Sequence, residues 1–426
     1  MATTYLTRTG TTPTTSNKYT FSCWIKRGSI GTTETLFRSY SDGSNSAQLI
    51  FDSDDTFAFQ DIVGGTTVTN LKPSNLFRDT GAWMNIIVQV DYTQAAAADR
   101  AKIFINGGEV SYSATTRQSQ NGASNLNTAA NNAIGSNRSN SSHYFTGSMS
   151  QVNFIDGTAY PATAFGSVNA TSGIWKANSS PTVTYGNNGF FLDMANSSDM
   201  GNDVSGKAND FTVGGGILTQ MEDTPDNNFA TLNPLNNTQG ATFSNGNTKS
   251  VNVQNDKYYT STLAMPSGKY YWEVKPTTIG NRNAVGICSV DKNFNSTSFS
   301  GSNYGVILFG FSTMETNGTH TGTVPTFANN NIVCYAFDSS TNILYYSLNA
   351  NLNTASANKF TLAADDYIIV CQEPGGSVGT NEFNFGNGYF GTTAVASAGT
   401  NASSNGIFEY DVPTGYTALS TKGLNL

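Results

Sequence analysis

Three aspartates give this sequence its clearest opportunity to bind a metal ion. Asp52, Asp54 and Asp55 lie within residues 51–57, between two segments with the composition of β-strands. Closely spaced carboxylates together with loop carbonyls suit Ca²⁺, a hard cation that takes about six to eight oxygen ligands. The alternative is a hairpin turn in which the aspartates accept hydrogen bonds from their own backbone amides. Ca²⁺ is therefore the one cofactor that the sequence suggests.

The sequence lacks the combinations of catalytic residues that most hydrolases need. The glutamates are scattered along the chain, whereas a retaining glycosidase needs two carboxylates roughly 5 Å apart. The two histidines, His143 and His320, fall in segments rich in Ser, Asn, Thr and Gly, with no Gly-x-Ser-x-Gly motif beside them. The four cysteines have no Cys-x-x-Cys spacing, so we expect buried, reduced thiols. The sequence predicts a protein that is not an enzyme.

Several polar segments instead have the chemistry that binds a glycan: an aromatic ring beside Asn side chains, with few charges. Residues 39–45, 137–144 and 316–321 share this composition, and Trp175 is the tryptophan least committed to a strand. The candidate glycan-binding residues are Tyr40, Asn45, Asn137, Arg138, His143, Tyr144, Trp175 and His320. The same segments could also be inert, or could pack against neighbouring subunits.

Composition limits the partners. Charged residues make up 12% of the 426 residues and the net charge is −8, without the clusters of Lys and Arg that bind a phosphate backbone. We therefore expect no nucleic acid partner. No run of 18 apolar residues and no apolar leader segment is present, so we expect neither a membrane span nor an ordinary secretory signal.

Short runs of β-branched and aromatic residues are expected to form the strands that position the candidate binding residues. Residues 19–28 alternate Phe21, Cys23 and Ile25 with mainly polar neighbours, as a half-buried strand does. Residues 83–91 form a second predicted strand, and residues 102–108 end in an Asn-Gly turn typical of a hairpin. No helical period of useful length is present. The sequence predicts an all-β protein.

The order of these strands, followed by "Phe-Thr-Gly-Ser-Met" at residues 145–149, resembles the concanavalin A-like, laminin-G-type jelly roll over roughly residues 15–160. The resemblance departs at Trp83, which is followed by Met84 and Asn85 where the family usually has His. The family includes glucanases, whose carboxylates form a Glu-x-Asp-x-x-Glu pattern. That pattern is absent here.

A second resemblance covers the rest of the chain. Segments 269–274, 283–287, 334–338 and 343–349, with the tail 384–419, resemble in their order the SPRY domain. That family implies a second β-sandwich, which binds partners through its loops and does not catalyse. The fold class is thus predicted as two antiparallel β-sandwiches, a concanavalin A-like jelly roll followed by a SPRY-like sandwich.

A polar joint with Pro225 and Pro234 separates the two halves, because proline continues neither a helix nor a central strand. We expect a first domain over residues 1–222, including an extension from residue 160, a linker over residues 223–240 and a second domain over residues 241–426. The joint and its flanking domains resemble proteins of tailed bacteriophages.

That resemblance implies a virion protein on a tail fibre or similar appendage, binding a host-surface polysaccharide without catalysis. The alternative is a capsid decoration or head-fibre protein with a purely structural role. Other virion proteins are the further expected partners. By analogy with fibres, a homo-oligomer is expected, with a trimer favoured.

Overall fold

A computed structural model describes residues 3–137, 142–253, 255–280, 282–299, 301–373 and 378–424. The chain divides into two compact units, Met1–Gln220 and Met221–Leu426. Both are built from β-strands, which confirms the predicted all-β class. None of the helices in the described ranges is long and apolar enough to cross a membrane.

The first unit contains two large sheets. Within its described residues, one sheet has eight strands in the order β10-β6-β5-β4-β3-β11-β1-β16 and the other has six in the order β15-β12-β2-β7-β8-β9. The strands are β1 Tyr5–Thr9, β2 Lys18–Arg27, β3 Glu34–Asp42, β4 Asn45–Phe51, β5 Phe57–Val63, β6 Thr66–Pro73, β7 Met84–Asp91, β8 Ala101–Ile105, β9 Gly108–Glu109, β10 Tyr112–Thr116, β11 Asn131–Ile134, β12 Gly147–Asp156, β13 Gly166–Val168, β14 Trp175–Ala177, β15 Phe190–Leu192 and β16 Thr212–Gly214. Short 3-10 helices occupy Ala97–Asp99 and Ala162–Ala164.

The core of this unit lies between the two sheets. Phe21 of β2 and Phe37 of β3 come from different sheets, and their rings stack with centroids 5.3 Å apart. Cys23 and Ile25 point into the same core, as the alternation along β2 predicts. The unit is therefore a sandwich whose two inner faces share one apolar layer.

The six-stranded sheet is also covered on its other face. Trp24 points away from the main core into a second cluster with Trp83 and Trp175. Trp175 begins β14, which pairs with β13 in a two-stranded hairpin. Covering both faces explains why β2 is buried along almost its whole length, whereas the sequence predicts a half-buried strand.

A buried ion cluster closes one end of this sandwich. Arg27 is 1% exposed, and its Nη1 lies 3.2 Å from Asp55 Oδ1 while its Nη2 lies 3.5 Å from Glu34 Oε2. The guanidinium also lies 4.4 Å from the ring centroid of Phe51 and donates to the carbonyl of Phe77. Three different segments are thereby tied to the end of β2.

The second unit is a second sandwich. In its described part, one sheet has the order β17-β20-β29-β22-β23-β24, and the other has the order β18-β19-β30-β21-β26-β27-β28-β25, with β33 added beside β21. The strands are β17 Leu232–Asn237, β18 Thr242–Ser244, β19 Lys249–Val251, β20 Asn255–Met265, β21 Lys269–Thr278, β22 Ala284–Ser289, β23 Tyr304–Leu308, β24 Thr313–Thr316, β25 Thr319–Thr321, β26 Val333–Asp338, β27 Ile343–Leu348, β28 Asn358–Thr361, β29 Tyr367–Glu373, β30 Thr380–Asn384, β31 Tyr389–Phe390, β32 Thr393–Ala394 and β33 Thr417–Ala418. A 3-10 helix spans Phe309–Phe311.

Trp272 lies at the centre of this second core. It is fully buried, and its ring stacks on Tyr335 with centroids 5.2 Å apart. Tyr335 donates a hydrogen bond of 3.2 Å to the carbonyl of Val285 in the opposite sheet. All four cysteines of the chain are buried and free, as predicted.

Glu273, beside that tryptophan, is a buried carboxylate. Its Oε1 accepts hydrogen bonds from Tyr271 Oη at 3.0 Å and from the amide of Tyr410 at 2.8 Å. Its Oε2 accepts from Asn384 Nδ2 at 3.1 Å and from the amide of Glu409 at 2.9 Å. The carboxylate thus fixes the carboxy-terminal segment against β21 and β30.

The predicted linker is partly folded into the second unit. Phe229 and Leu232 are buried, and residues from Leu232 to Asn237 form β17, which pairs with β20. Pro234 is compatible with this strand because β17 lies at the edge of its sheet. The structure therefore places residues 229–237, which the sequence predicts as linker, inside the second sandwich.

We expect the stability that Glu273 confers to fall as the pH rises. Burial raises the pKa of Glu273 to about 7, against the four hydrogen bonds that lower it. The pKa of Glu273 is higher in the folded state than in the unfolded state, where it is near 4.5. Glu273 therefore stabilises the protein fully at a pH below the unfolded-state pKa, and this stabilisation is lost as the pH rises through the folded-state pKa. Relative to Glu273→Gln, wild type should lose about 3 kcal/mol of unfolding free energy between these pH values. Denaturant titrations of both proteins at several pH values measure it. A difference that is constant with pH would contradict the expectation.

Truncation of Trp175 should destabilise the first unit. Trp175→Ala removes a buried ring from the Trp24 and Trp83 cluster, and such changes cost roughly 3–5 kcal/mol. Trp175→Phe retains most of the volume and should cost less than half as much. Thermal unfolding of the full chain measures both variants. An unchanged melting temperature for Trp175→Ala would contradict the packing described here.

Candidate functional site

The outward face of the eight-stranded sheet carries a row of polar side chains. Phe37 points into the core, so Arg38 next to it points outward. The strand register places Arg38 opposite Gln48, Gln48 opposite Gln60, and Gln60 opposite Asn70. The four side chains are half-buried. We call this set the polar row.

The polar row is joined by hydrogen bonds between side chains. Arg38 Nη1 donates to Gln48 Oε1 at 3.1 Å, and Gln48 Nε2 donates to Gln60 Oε1 at 2.8 Å. Among the described residues, neither Nε of Arg38 nor Oδ1 of Asn70 has a hydrogen-bond partner, although both atoms are buried. The row therefore holds several amide groups in fixed orientations and leaves polar atoms unused at both ends.

Three residues that the sequence predicts for glycan binding converge on Arg38. Asn137 Oδ1 accepts a hydrogen bond of 2.6 Å from Arg38 Nη1, and Asn137 Nδ2 donates to His143 Nδ1 at 3.3 Å. The guanidinium of Arg38 lies 5.1 Å from the ring centroid of Tyr40. Partial burial lowers the pKa of Arg38. Tyr40 and Asn137 thus contact one cation that the sequence analysis missed, and His143 is joined to it through Asn137.

An aromatic pair extends the same face. Leu6 points into the core, so Tyr5 points outward on β1. Its ring centroid lies 6.1 Å from that of Tyr144, and both rings are half-buried. Tyr144 therefore remains a candidate on this face, and Tyr5 joins it. The position of Tyr5 beside β11 could not be predicted from the sequence, because β1 and β11 are far apart in the chain.

Two of the predicted residues, Asn45 and His320, lie elsewhere. Asn45 stabilises the β3–β4 hairpin, where its Nδ2 donates to Asp42 Oδ1 at 3.2 Å and its Oδ1 accepts from the amide of Gly64 at 3.1 Å. Arg138 lies outside the described residues. His320 belongs to the second unit, in strand β25 rather than in a loop, and its Nε2 lies 2.7 Å from Tyr346 Oη. Burial lowers the pKa of His320.

The sequence suggests Trp175 for glycan binding because its ring looks uncommitted to a strand. That premise is wrong. Trp175 is 9% exposed, and its Nε1 donates to Asn85 Oδ1 at 3.2 Å. A Cβ added at Gly107 would come within 2.4 Å of the ring, so the chain packs tightly against it. The ring belongs to the layer that covers the six-stranded sheet.

The three aspartates of the predicted calcium site are already engaged with cations of the protein. Asp52 and Asp54 each pair with Lys72, at 3.5 and 3.3 Å, and Asp54 Oδ1 also accepts from the amide of Thr56 at 3.1 Å. Asp55 pairs with Arg27 in the buried cluster. No group of three or more His, Cys, Asp or Glu side chains in the described part of the chain is arranged to hold a metal ion. The arrangement matches the turn alternative, and calcium binding stays a prediction.

Each unit also has an open groove. The larger, of about 570 Å³, lies in the first unit between residues 75–84 and 105–111. Arg78 on its rim is held by Asp55 at 3.0 Å. The smaller groove, of about 330 Å³, lies beside Tyr346 in the second unit. Neither groove gathers the predicted residues as the polar row does, so we place the candidate site on the outward face.

Several solved structures are similar to parts of this chain at low identity. Domains LG4–5 of the mouse laminin α1 chain align at 9% identity with a TM-score of 0.30, covering 87% of this chain and 79% of theirs. The SPRY domain of human HERC1 aligns at 15% identity with a TM-score of 0.28, covering 34% of this chain and 92% of its own. Domain 4 of AbnA, an extracellular arabinanase of Geobacillus stearothermophilus in complex with arabinotriose, aligns at 20% identity with a TM-score of 0.27, covering 35% and 65%.

A search of curated proteins gives no match. The family model described as the concanavalin A-like lectin/glucanases superfamily, of laminin G type, matches residues 2–163. This range contains the polar row, its flanking aromatic rings and strands β1 to β12. Over residues 2–163, the amino-terminal sandwich therefore has the fold of a concanavalin A-like domain of laminin G type.

Proposed function

We propose that the protein binds a polysaccharide through the outward face of its eight-stranded sheet and does not cleave it. The polar row is the observation that carries this proposal. A sugar hydroxyl both donates and accepts hydrogen bonds, and the amide side chains of Gln48, Gln60 and Asn70 also do both. Tyr5 and Tyr144 add ring surface for the apolar faces of a sugar.

The composition of the face supports binding without hydrolysis. The polar row contains amides and a guanidinium but no Asp or Glu. Glycosidases generally need an acid and a second carboxylate flanking the scissile bond, and the glucanase pattern is absent from the sequence. The polar row can hold a sugar in place but offers no carboxyl group to protonate its glycosidic oxygen.

The biological setting follows from the sequence resemblance to proteins of tailed bacteriophages. We infer a virion protein, carried on a tail fibre or similar appendage, whose ligand is a host-surface glycan. The second sandwich then contacts other virion proteins, and the repeated symmetry of an appendage would gather several copies, a trimer by analogy with fibres.

Gln48 is the best single position at which to test binding. Gln48→Leu preserves the size of the side chain but removes both hydrogen bonds that link the row. Losing about 1–3 kcal/mol of polar interaction should weaken binding of the full chain to an array of bacterial surface polysaccharides by about fivefold or more. Gln120→Leu, at an exposed residue that donates to the carbonyl of Thr93, is the matched control and should bind as wild type.

Wild type should also release no reducing sugar from any polysaccharide that it binds. Equal binding by Gln48→Leu and wild type would remove the polar row from the proposed site. Release of reducing sugar, abolished by one Asp or Glu substitution, would show that the protein is an enzyme.

The proposed location of the protein on a tail appendage can be tested with purified virions. Antibodies against the chain should label purified virions of the phage that encodes it, at the tail appendage, as seen by immunogold electron microscopy. Labelling of the capsid surface would favour the structural decoration role. Particles without the chain would contradict a virion protein of either kind.

A further inference from the structure

Arg38 is a half-buried cation without an acidic partner. It takes part in no ion pair within the described residues; burial lowers its pKa, and the one side chain that raises it is Tyr40 rather than a carboxylate. Arg27, in the same sandwich, is by contrast paired with Asp55 and Glu34. Arg8 is buried too, and Asp203 and Asp210 act on its pKa. Removing a cation from water without a counter-charge is costly, so the position of Arg38 calls for an anion.

One nitrogen of the Arg38 guanidinium is left free for an anion. Its Nη1 is fully used, because it donates to both Gln48 and Asn137. Nε is buried and has no hydrogen-bond partner among the described residues, so a ligand does not reach it. Nη2 donates to no described residue, and its N–H groups can donate to a carboxylate oxygen in a charge-assisted hydrogen bond.

The guanidinium is also held in place before any ligand binds. Gln48, Asn137 and the ring of Tyr40 contact it from three directions. A preorganised arginine loses less side-chain freedom on binding, so more of the ion-pair energy contributes to affinity. Half-burial strengthens the interaction further, because screening by water and salt is weaker there.

We propose that the polysaccharide bound at the polar row is acidic, and that a carboxylate of one sugar-acid residue pairs with Nη2 of Arg38. The hydroxyls of adjoining residues then meet Gln48, Gln60 and Asn70 along the row. This inference rests on the proposed function and adds the class of ligand. With a net charge of −8, the protein as a whole repels an acidic polymer, so selectivity for it must come from this local contact.

Matched polymers test the charge of the ligand. The full chain is presented with a panel of acidic capsular and extracellular bacterial polysaccharides, each beside the same polymer after chemical reduction of its carboxylates to alcohols. Wild type should bind at least one acidic polymer and bind the reduced form at least tenfold more weakly.

Matched variants test the residue. Arg38→Met should weaken binding to the acidic polymer by the same factor as carboxyl reduction, and should have little further effect on the reduced polymer. Arg38→Lys keeps the charge without the planar guanidinium that Gln48, Asn137 and Tyr40 hold, and should fall between the two. Arg117→Met removes an equal charge from another half-buried arginine of the same unit, stacked on Tyr112, and should bind as wild type. Melting temperatures establish that the variants are folded.

The outcomes separate this inference from the proposed function. Equal binding to acidic and reduced polymers, or wild-type binding by folded Arg38→Met, would overturn the acidic ligand while leaving glycan binding intact. Binding that survives carboxyl reduction but depends on sulfate or phosphate groups would also overturn the carboxylate. No binding to either form of any polymer would count against the proposed function itself.

Discussion

The cost of burying a charge constrains both sandwiches more than any other single factor. In the first unit, Arg27 is enclosed where the two sheets meet, so its counter-charges must be enclosed with it. Asp55 and Glu34 supply them, the ring of Phe51 covers the guanidinium, and the carbonyl of Phe77 accepts one hydrogen bond. Removing one partner from such a cluster costs roughly 3–5 kcal/mol. The turns and loops at this end are therefore fixed by one side chain.

The same cost applies in the second unit, where the buried group is an anion instead of a cation. Glu273 is buried next to Trp272, and no cation reaches it among its hydrogen-bond partners. Four donors satisfy it instead, including two successive backbone amides of the carboxy-terminal segment. Backbone amides can hold a segment in place only when its conformation is correct, so the carboxylate selects one path for residues 409–410. This accounts physically for a glutamate beside a core tryptophan.

Local pattern predicted the strands well and the side-chain partnerships poorly. Alternation along β2 correctly assigned Phe21, Cys23 and Ile25 to the inner core. It could not show that Trp175, about 150 residues later, would cover Trp24 on the other face. The composition of residues 223–240 indicated a linker, yet apolar Phe229 and Leu232 drew part of it into the second sandwich. Period-two alternation is encoded locally, whereas coverage of a face depends on which distant segment packs there.

The candidate site shows the same division. Composition indicated Tyr40, Asn137 and His143 as candidates, and the structure places them close to one another around Arg38. Arg38 was missed, since its importance depends on cross-strand neighbours and on the absence of a carboxylate nearby, neither of which a linear pattern contains.

The contrast between Arg38 and Arg27 connects stability with recognition. Both arginines belong to one sandwich, and both are shielded from water to different degrees. Arg27 is fully enclosed, so no ligand can reach it and its counter-ions must be built in. Arg38 lies at the surface, where partial hydration makes an unpaired charge tolerable until a ligand arrives. Arg38 forms no ion pair with a described residue, is held by two amides and a ring, and keeps Nη2 without a described partner. These are the features that we propose for a binding site. An anion at Arg38 would recover the charge compensation that the fold itself provides at Arg27.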